Sequence, residues 1–265
     1  MRFFALLLCV LVLPVQAQLR VVSLAPSLTE IMLELDAGDL LVGVLDGGER
    51  PPALAHVPSV GQGGVLEMEG LLALKPDLLL LWPASISAAQ QQQLRQFGIP
   101  TYIAEPHNLA QLATQFAEIG ARIGRAQQGR ELQQRFRVAL AQLRQRYARA
   151  RPLRVFYQVW DSPLYTIGGT QIISDALNVC GARNIFADVA LPAPQVGVET
   201  VLKRDPEVLI AASAAQLLSW QRWPQLRAVR LGQLWVVPDD GLERPSFQML
   251  AATEQLCRLL ATAAQ

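Results

Sequence analysis

The chain has 265 residues, a formal net charge of +1 and 51% hydrophobic against 17% charged residues. That length buries a core in one large or two smaller domains. The near-balanced charge leaves no dominant basic patch, which excludes nucleic acid as a partner.

Met1-Arg2-Phe3-Phe4, an apolar run through Val15 and the small-residue end Val15-Gln16-Ala17 have the order of a secretory leader. The apolar run is shorter than the ~20 residues a bilayer span needs. Residues 1–17 are therefore expected to be a signal peptide cleaved after Ala17, and Cys9 leaves with it. Cys180 and Cys257 remain, an even number in an exported chain, and are expected to be bonded, with two separately buried thiols as the alternative.

Val21 to Ser23 reads as a strand, and Pro26-Ser27 with Glu30 three residues on reads as a capping box opening a helix closed by Gly38. Val42 to Val44 is a short strand, and residues 46–52 form a loop. Val60-Gly-Gln-Gly63-Gly64 is read as a further loop, free to approach a ligand closely. Leu66 to Leu74 is a helix carrying Glu69, stopped by Lys75-Pro76-Asp77. Leu78 to Trp82, apolar without alternation, is a parallel strand covered on both faces. A Gln-rich helix from Ala88, a strand from Thr101 and a helix over Asn108 to Gly124 follow.

From Arg125 to about Ala150 the pattern predicts one long amphipathic helix, with Leu132, Phe136, Leu140, Leu143 and Tyr147 on one side and Arg or Gln filling most other positions. It would span roughly 35 to 40 Å. Glycines 120, 124 and 129 fall at or before its first turns, so a stiff strut with small opening motions is expected. Beyond it the cycle restarts. Arg154 to Val159 echoes Arg20 to Leu24, a Gly168-Gly169-Thr170 turn opens a helix to Cys180, and Glu199 to Lys203 with Pro206 repeats the register of Glu69 and Pro76. Strands at Val208 to Ala212 and Leu234 to Val237, a loop to Pro245 and a closing helix from Gln248 complete the chain. The fold class expected is α/β: two lobes with mainly parallel central sheets, 18–124 and 151–265, joined by one backbone helix at 125–150.

No G-x-S-x-G elbow, H-E-x-x-H pair or Walker loop is present. His56 and His107 sit in separate loops without a second ligand nearby and read as surface or capping residues, so no metal site is expected. Glu69 and Glu199 fit two roles, a charge in the first turn of each helix or a paired docking surface for arginines, and both stay open here. Ligands of parallel sheets sit beyond the carboxyl ends of the strands. Those ends bring Trp82, Trp160, Tyr165, Asp240, Glu243 and Arg244 together as a large, partly apolar pocket with a few polar groups, core packing being the alternative for the tryptophans.

RVVSLAPSLTE, the LKPD segment after Glu69, VCGARNIF around Cys180, PQV before Glu199 and Asp240-Gly241-Leu242-Glu243-Arg244 together resemble the periplasmic vitamin B12-binding proteins of cobalamin ABC importers. These are substrate-binding proteins with two α/β lobes on a single long helix. The resemblance implies a periplasmic binding protein, not an enzyme, that captures a corrinoid between its lobes and delivers it to a permease. Glu69 and Glu199 match the family's permease-docking glutamates, Cys180 and Cys257 its disulfide, Asp240 to Arg244 a ligand-contacting segment, and Tyr165 a cleft aromatic. Gly47, Gly63 and Ala193 fall where the family has cleft aromatics, with Trp160 as a local replacement. The chain is expected to be a monomer without a cofactor, the corrinoid being cargo. A haem or ferric-siderophore binder is the alternative within the class, and an exported hydrolase the remote one.

Overall fold

The computed structural model describes residues 18–48 and 50–264. The expected leader and Cys9 lie outside them. Strand β1 (Val21–Ser23) is fully buried and is followed by helix α1 (Pro26–Glu34), strands β2 (Leu41–Asp46), β3 (Ser59–Gln62) and β4 (Val65–Leu66), and helix α2 (Met68–Ala73). Then come β5 (Leu78–Leu81), α3 (Ala88–Gln96) and β6 (Thr101–Ile103). They form a six-stranded sheet in the order β4-β3-β2-β1-β5-β6, parallel except for the β3–β4 pair. Every residue of β5 is buried, because helices cover both faces of the sheet.

Helix α4 (Leu109–Arg122) is followed by the long helix α5 (Ala126–Arg146), which joins the halves with α4 antiparallel beside it. The second half comprises β7 (Leu153–Asp161), β8 (Leu164–Thr166), α6 (Ile172–Val179), β9 (Ala182–Asn184), α7 (Val198–Arg204), β10 (Val208–Ala211), α8 (Ala214–Leu218), α9 (Arg227–Arg230), β11 (Leu234–Val236) and α10 (Met249–Ala261). Its sheet runs β11-β10-β7 in parallel, with β9 parallel and β8 antiparallel on β7. The molecule is thus α/β, two lobes with mainly parallel sheets.

Two readings of the sequence are corrected in these elements. Residues 59–66 are a hairpin, not a loop: Val60 is buried, and a Cβ on Gly61 would lie 2.0 Å from Val65 O, so that glycine permits two strands to close on each other. Only Gly63 and Gly64, with φ of +59° and +82°, make the turn. The long helix stops at Arg146, not near Ala150. Pro152 biases Arg151 toward extended backbone, Arg149 donates to Leu260 O at 2.6 Å, and Arg151 pairs with Glu207 at 2.7 Å. The backbone helix expected between the lobes is α5, and α4 packs antiparallel along it. Gly120 and Gly129 let α4 and α5 touch backbone to backbone: a Cβ on Gly129 would meet Phe116 O at 2.6 Å and Gly120 Cα at 3.2 Å. Phe116 and Phe136 stack edge to face at 5.3 Å, and Phe247 of the second lobe packs on both, with the Arg135 guanidinium 4.9 Å from its ring centre.

The second lobe is also tied covalently. Cys180 at the end of α6 and Cys257 on α10 form a buried disulfide across a Cα–Cα distance of 4.6 Å, within the range that geometry permits.

Candidate functional site

The carboxyl ends of β5, β6 and β7 open onto one cavity of about 420 Å³ walled by both lobes. Trp82 arrives directly after β5, His107 from the loop after β6, and Tyr157 and Val159 from β7 itself. Leu242 and Glu243 close it from the loop before α10. The walls are mostly apolar, with a handful of polar groups among them, the composition of a small-molecule site. The next residue of that loop, Arg244, reaches a second cavity of about 540 Å³ beside α1, shared with Gly47 and Glu30.

Residues 239–245 are shaped by local bonds. Asp239 accepts from Gly241 N at 2.8 Å and from Gln255 Nε2 at 2.6 Å, which curls Asp240–Glu243 into one 3-10 turn. Gly241 sits against α10, where a Cβ would lie 3.2 Å from Ala252 Cβ. Arg244 then crosses between the lobes and donates to Glu30 Oε1 at 3.2 Å. The expected capping box is absent: Pro26 opens α1 with Ala25 as its N-cap, so Ser27 lies inside the first turn. Glu30 is buried and spends one oxygen on Arg244, while its Oε2 has no partner.

Tyr157, which the sequence analysis does not name, is among the buried residues of the site. It is 1% exposed, it lines the cavity, and its hydroxyl has no hydrogen-bond partner. Burial pushes its pKa far above the ordinary phenol range, and the charges of Glu243 and Asp240 push in the same direction, so the hydroxyl keeps its proton. Alternation along β7 was the available signal: Val155 and Tyr157 join the core shared by the lobes, whereas Phe156 packs on the opposite face of the sheet.

Of the residues proposed from sequence, the structure gathers Trp82, Leu242, Glu243 and Ala193 at one cavity and Gly47 and Arg244 at the other. Asp240 is exposed beside them. Trp160 and Tyr165 face each other across the β7–β8 hairpin, past an irregularity in the pairing. Trp160 is 56% exposed, with its Nε1 donating to Ser162 O, and neither ring lines the cavity. Gly63 has open space where a side chain would go. His107, read from sequence as a surface residue, is exposed but stands at the cavity wall. Among the described residues no cluster of His, Cys, Asp or Glu could hold a metal ion.

Glu69 and Glu199 occupy the first turns of α2 and α7, one on each lobe, and both are exposed. Among the described residues neither carboxylate makes a side-chain hydrogen bond or ion pair within the chain, so neither is committed to holding the fold.

A two-lobed α/β architecture with a ligand-sized cavity between the lobes defines a substrate-binding protein. Residues 21–240 match the periplasmic binding protein family, and the chain belongs to it. It is 34% identical over 262 residues to the vitamin B12-binding protein of Yersinia pestis, a match covering 97% of this chain and 91% of the relative. The crystal structure of the periplasmic vitamin B12 binding protein BtuF of Vibrio cholerae superposes with a TM-score of 0.81 at 34% identity, covering 91% of this chain and 96% of that one. The periplasmic heme binding protein HutB of the same organism shares the fold alone, at 21% identity and a TM-score of 0.77, covering 92% of this chain and 99% of its own. No helix among the described residues is long and apolar enough to cross a membrane.

Proposed function

We propose that this protein captures cobalamin or a related corrinoid between its lobes in the periplasm and delivers it to the permease of an ABC importer. The observation that carries the reading is the mostly apolar interlobe cavity in a chain 34% identical, along 97% of its length, to a vitamin B12-binding relative. Trp82 and Leu242 supply apolar surface for the macrocycle. Asp240, Glu243 and Arg244, in one turn braced on α10, supply polar contacts at its rim. In this reading Trp160 and Tyr165 of the β7–β8 hairpin serve as flanking aromatic surface, and glycine at 47 and 63 and alanine at 193 take the place of larger side chains that would narrow the cleft. Calorimetric titration with cyanocobalamin and cobinamide is expected to give saturable one-to-one binding to a monomer; no heat with either rejects the reading.

Glu69 and Glu199 serve as the permease contacts in this reading, because they are equivalent, exposed and uncommitted. The double variant Glu69→Ala/Glu199→Ala is expected to abolish corrinoid uptake by cells while changing corrinoid affinity less than about twofold, as for rim charges away from a ligand. A large fall in affinity would place these carboxylates in the cleft instead.

A further inference from the structure

At the amino ends of its strands the second lobe has another cavity, of about 520 Å³, lined by Arg154 of β7, Arg183 of β9, and Lys203 and Arg204 of α7. It shares no lining residue with either cavity of the cleft. Tyr157 and Val159, where β7 meets the cleft, stand about 10 to 16 Å further along the strand. The cavity has a single carboxylate among its walls, Asp188, and that charge is already spent. Both Asp188 oxygens accept from Arg204, at 2.5 and 2.9 Å, and the same guanidinium is held by Ile185 O and stacked 4.3 Å from the Phe186 ring centre. Arg204 is thus part of the wall.

Three cations are left over. Arg154 gives one N–H to Arg204 O, a backbone group that carries no countercharge. Arg183 and Lys203 are exposed, and among the described residues neither makes a side-chain hydrogen bond or ion pair. Their placement is the informative part. Arg154 and Arg183 are partners in the parallel β7–β9 register, so their side chains stand abreast on one face of the sheet. It is the face that α7 covers, since Phe156, two residues beyond Arg154, packs in the same cluster as Val201. Like charges at paired positions repel and weaken a sheet, and Lys203 brings a third charge to the same cavity. An anion between them removes that repulsion.

We propose that Arg154, Arg183 and Lys203 bind a phosphate dianion, free or as a monoester, at a site on the second lobe outside the cleft. Arginine forks pair with phosphate oxygens two at a time, and lysine adds a point charge. The cavity is of small-molecule size, with room for the organic part of an ester. A monoanionic carboxylate would answer fewer of the three charges. The site is independent of the corrinoid reading.

The test is calorimetric titration with inorganic phosphate at low ionic strength, where partly exposed charges are least screened, and at about pH 8, where phosphate is a dianion. Wild-type protein is expected to show saturable binding to a single site, with acetate at least about tenfold weaker. Arg183→Gln and Lys203→Gln, both at exposed positions, are each expected to weaken phosphate about tenfold or more, the scale of a hydrogen bond to a charged group. Arg130→Gln removes an equal charge from the outer face of α5 and should change binding less than about twofold. Thermal melts check that all three variants fold. Flotation with phosphatidylcholine vesicles carrying phosphatidic acid separates the two sources: retention that Lys203→Gln loses assigns a lipid headgroup, and its absence beside saturable phosphate binding assigns a soluble phosphate compound. Heats that never saturate with phosphate, or losses equal in Arg183→Gln and Arg130→Gln, overturn the site and leave the corrinoid reading untouched.

Discussion

In the first lobe, Arg20 at the head of β1 donates its guanidinium to Leu74 O at 2.9 and 2.7 Å and its amide to Asp77 Oδ2 at 2.9 Å. In the second, Arg154 makes the matching bonds to Arg204 O and, at 3.0 Å, to Glu207 Oε2. Lys75 and Asp205, with φ of +45° and +40°, turn each chain from helix to strand at the same step. β1 then pairs with β5 as β7 pairs with β10. The joint is shared and its surroundings are not. Asp77 is exposed, whereas the Glu207 side chain is 1% exposed and also takes Arg151 at 2.7 Å and Arg227 at 2.9 Å. The topology needs only the joint. The second lobe has added a buried carboxylate shared by two surface arginines, and a disulfide, so its stability depends on groups that the first lobe lacks.

The sharpest way to break that asymmetry is through the disulfide. Cys180→Ser with Cys257→Ser is expected to cost about 4 kcal/mol, from the loop entropy of a 77-residue separation. Urea unfolding with and without reductant checks it: wild type should fall to the variant's midpoint when reduced, and the variant should not respond.

The charge network comes next. Glu207→Ala removes the buried acceptor that the Arg151 and Arg227 guanidinium groups and the Arg154 amide share and is expected to cost about 2 to 3 kcal/mol, whereas Asp77→Ala, at an exposed site, should cost about 1 kcal/mol. Equal losses would erase the distinction between the lobes. Acidity sharpens it. Burial acts to raise the Glu207 carboxyl, but the Arg154 amide and the Arg151 and Arg227 guanidinium groups outweigh it and hold the group below the ordinary carboxylate range. A depressed carboxylate stabilises the fold above its unfolded value of about 4.3 and loses that contribution as pH falls through the folded one. The stability gap between wild type and Glu207→Gln should therefore narrow from pH 6 toward pH 3, as denaturant midpoints would show.

Much of this was legible in the chain, for definite physical reasons. The repeat of Glu69 and Pro76 as Glu199 and Pro206 announces two lobes because each lobe must rebuild the same helix-to-strand joint. The cysteine pair is legible because only two cysteines follow the expected leader. Trp82 and the 240–244 turn are legible because strand ends are where parallel sheets hold ligands. Tyr157 is not, since a tyrosine inside a β-branched run reads as core, and only the tertiary packing shows its hydroxyl without a partner. Ser27 and Glu30 mislead in the opposite way. Their spacing fits a cap, but Pro26 starts the helix two residues early, which frees Glu30 to bridge the lobes.

The helix pair between the lobes offers the smallest and most local test. Gly129 stands in the first turns of the backbone helix, where helix propensity alone favours alanine by up to about 1 kcal/mol. The packing reverses the sign. A Cβ there would press on Phe116 O at 2.6 Å, Ala117 Cα at 3.1 Å and Gly120 Cα at 3.2 Å, all rigid backbone of α4. Gly129→Ala is therefore expected to destabilise by about 2 kcal/mol, as overpacking does in a closed interface. Exposed Gln134 to Ala on the outer face of α5 should be neutral or slightly stabilising. A Gly129→Ala protein as stable as wild type would mean that α4 and α5 slide freely, and the strut would then be a hinge. If the loss appears together with unchanged corrinoid affinity, the helix pair sets the rigidity of the frame and the cleft sets recognition.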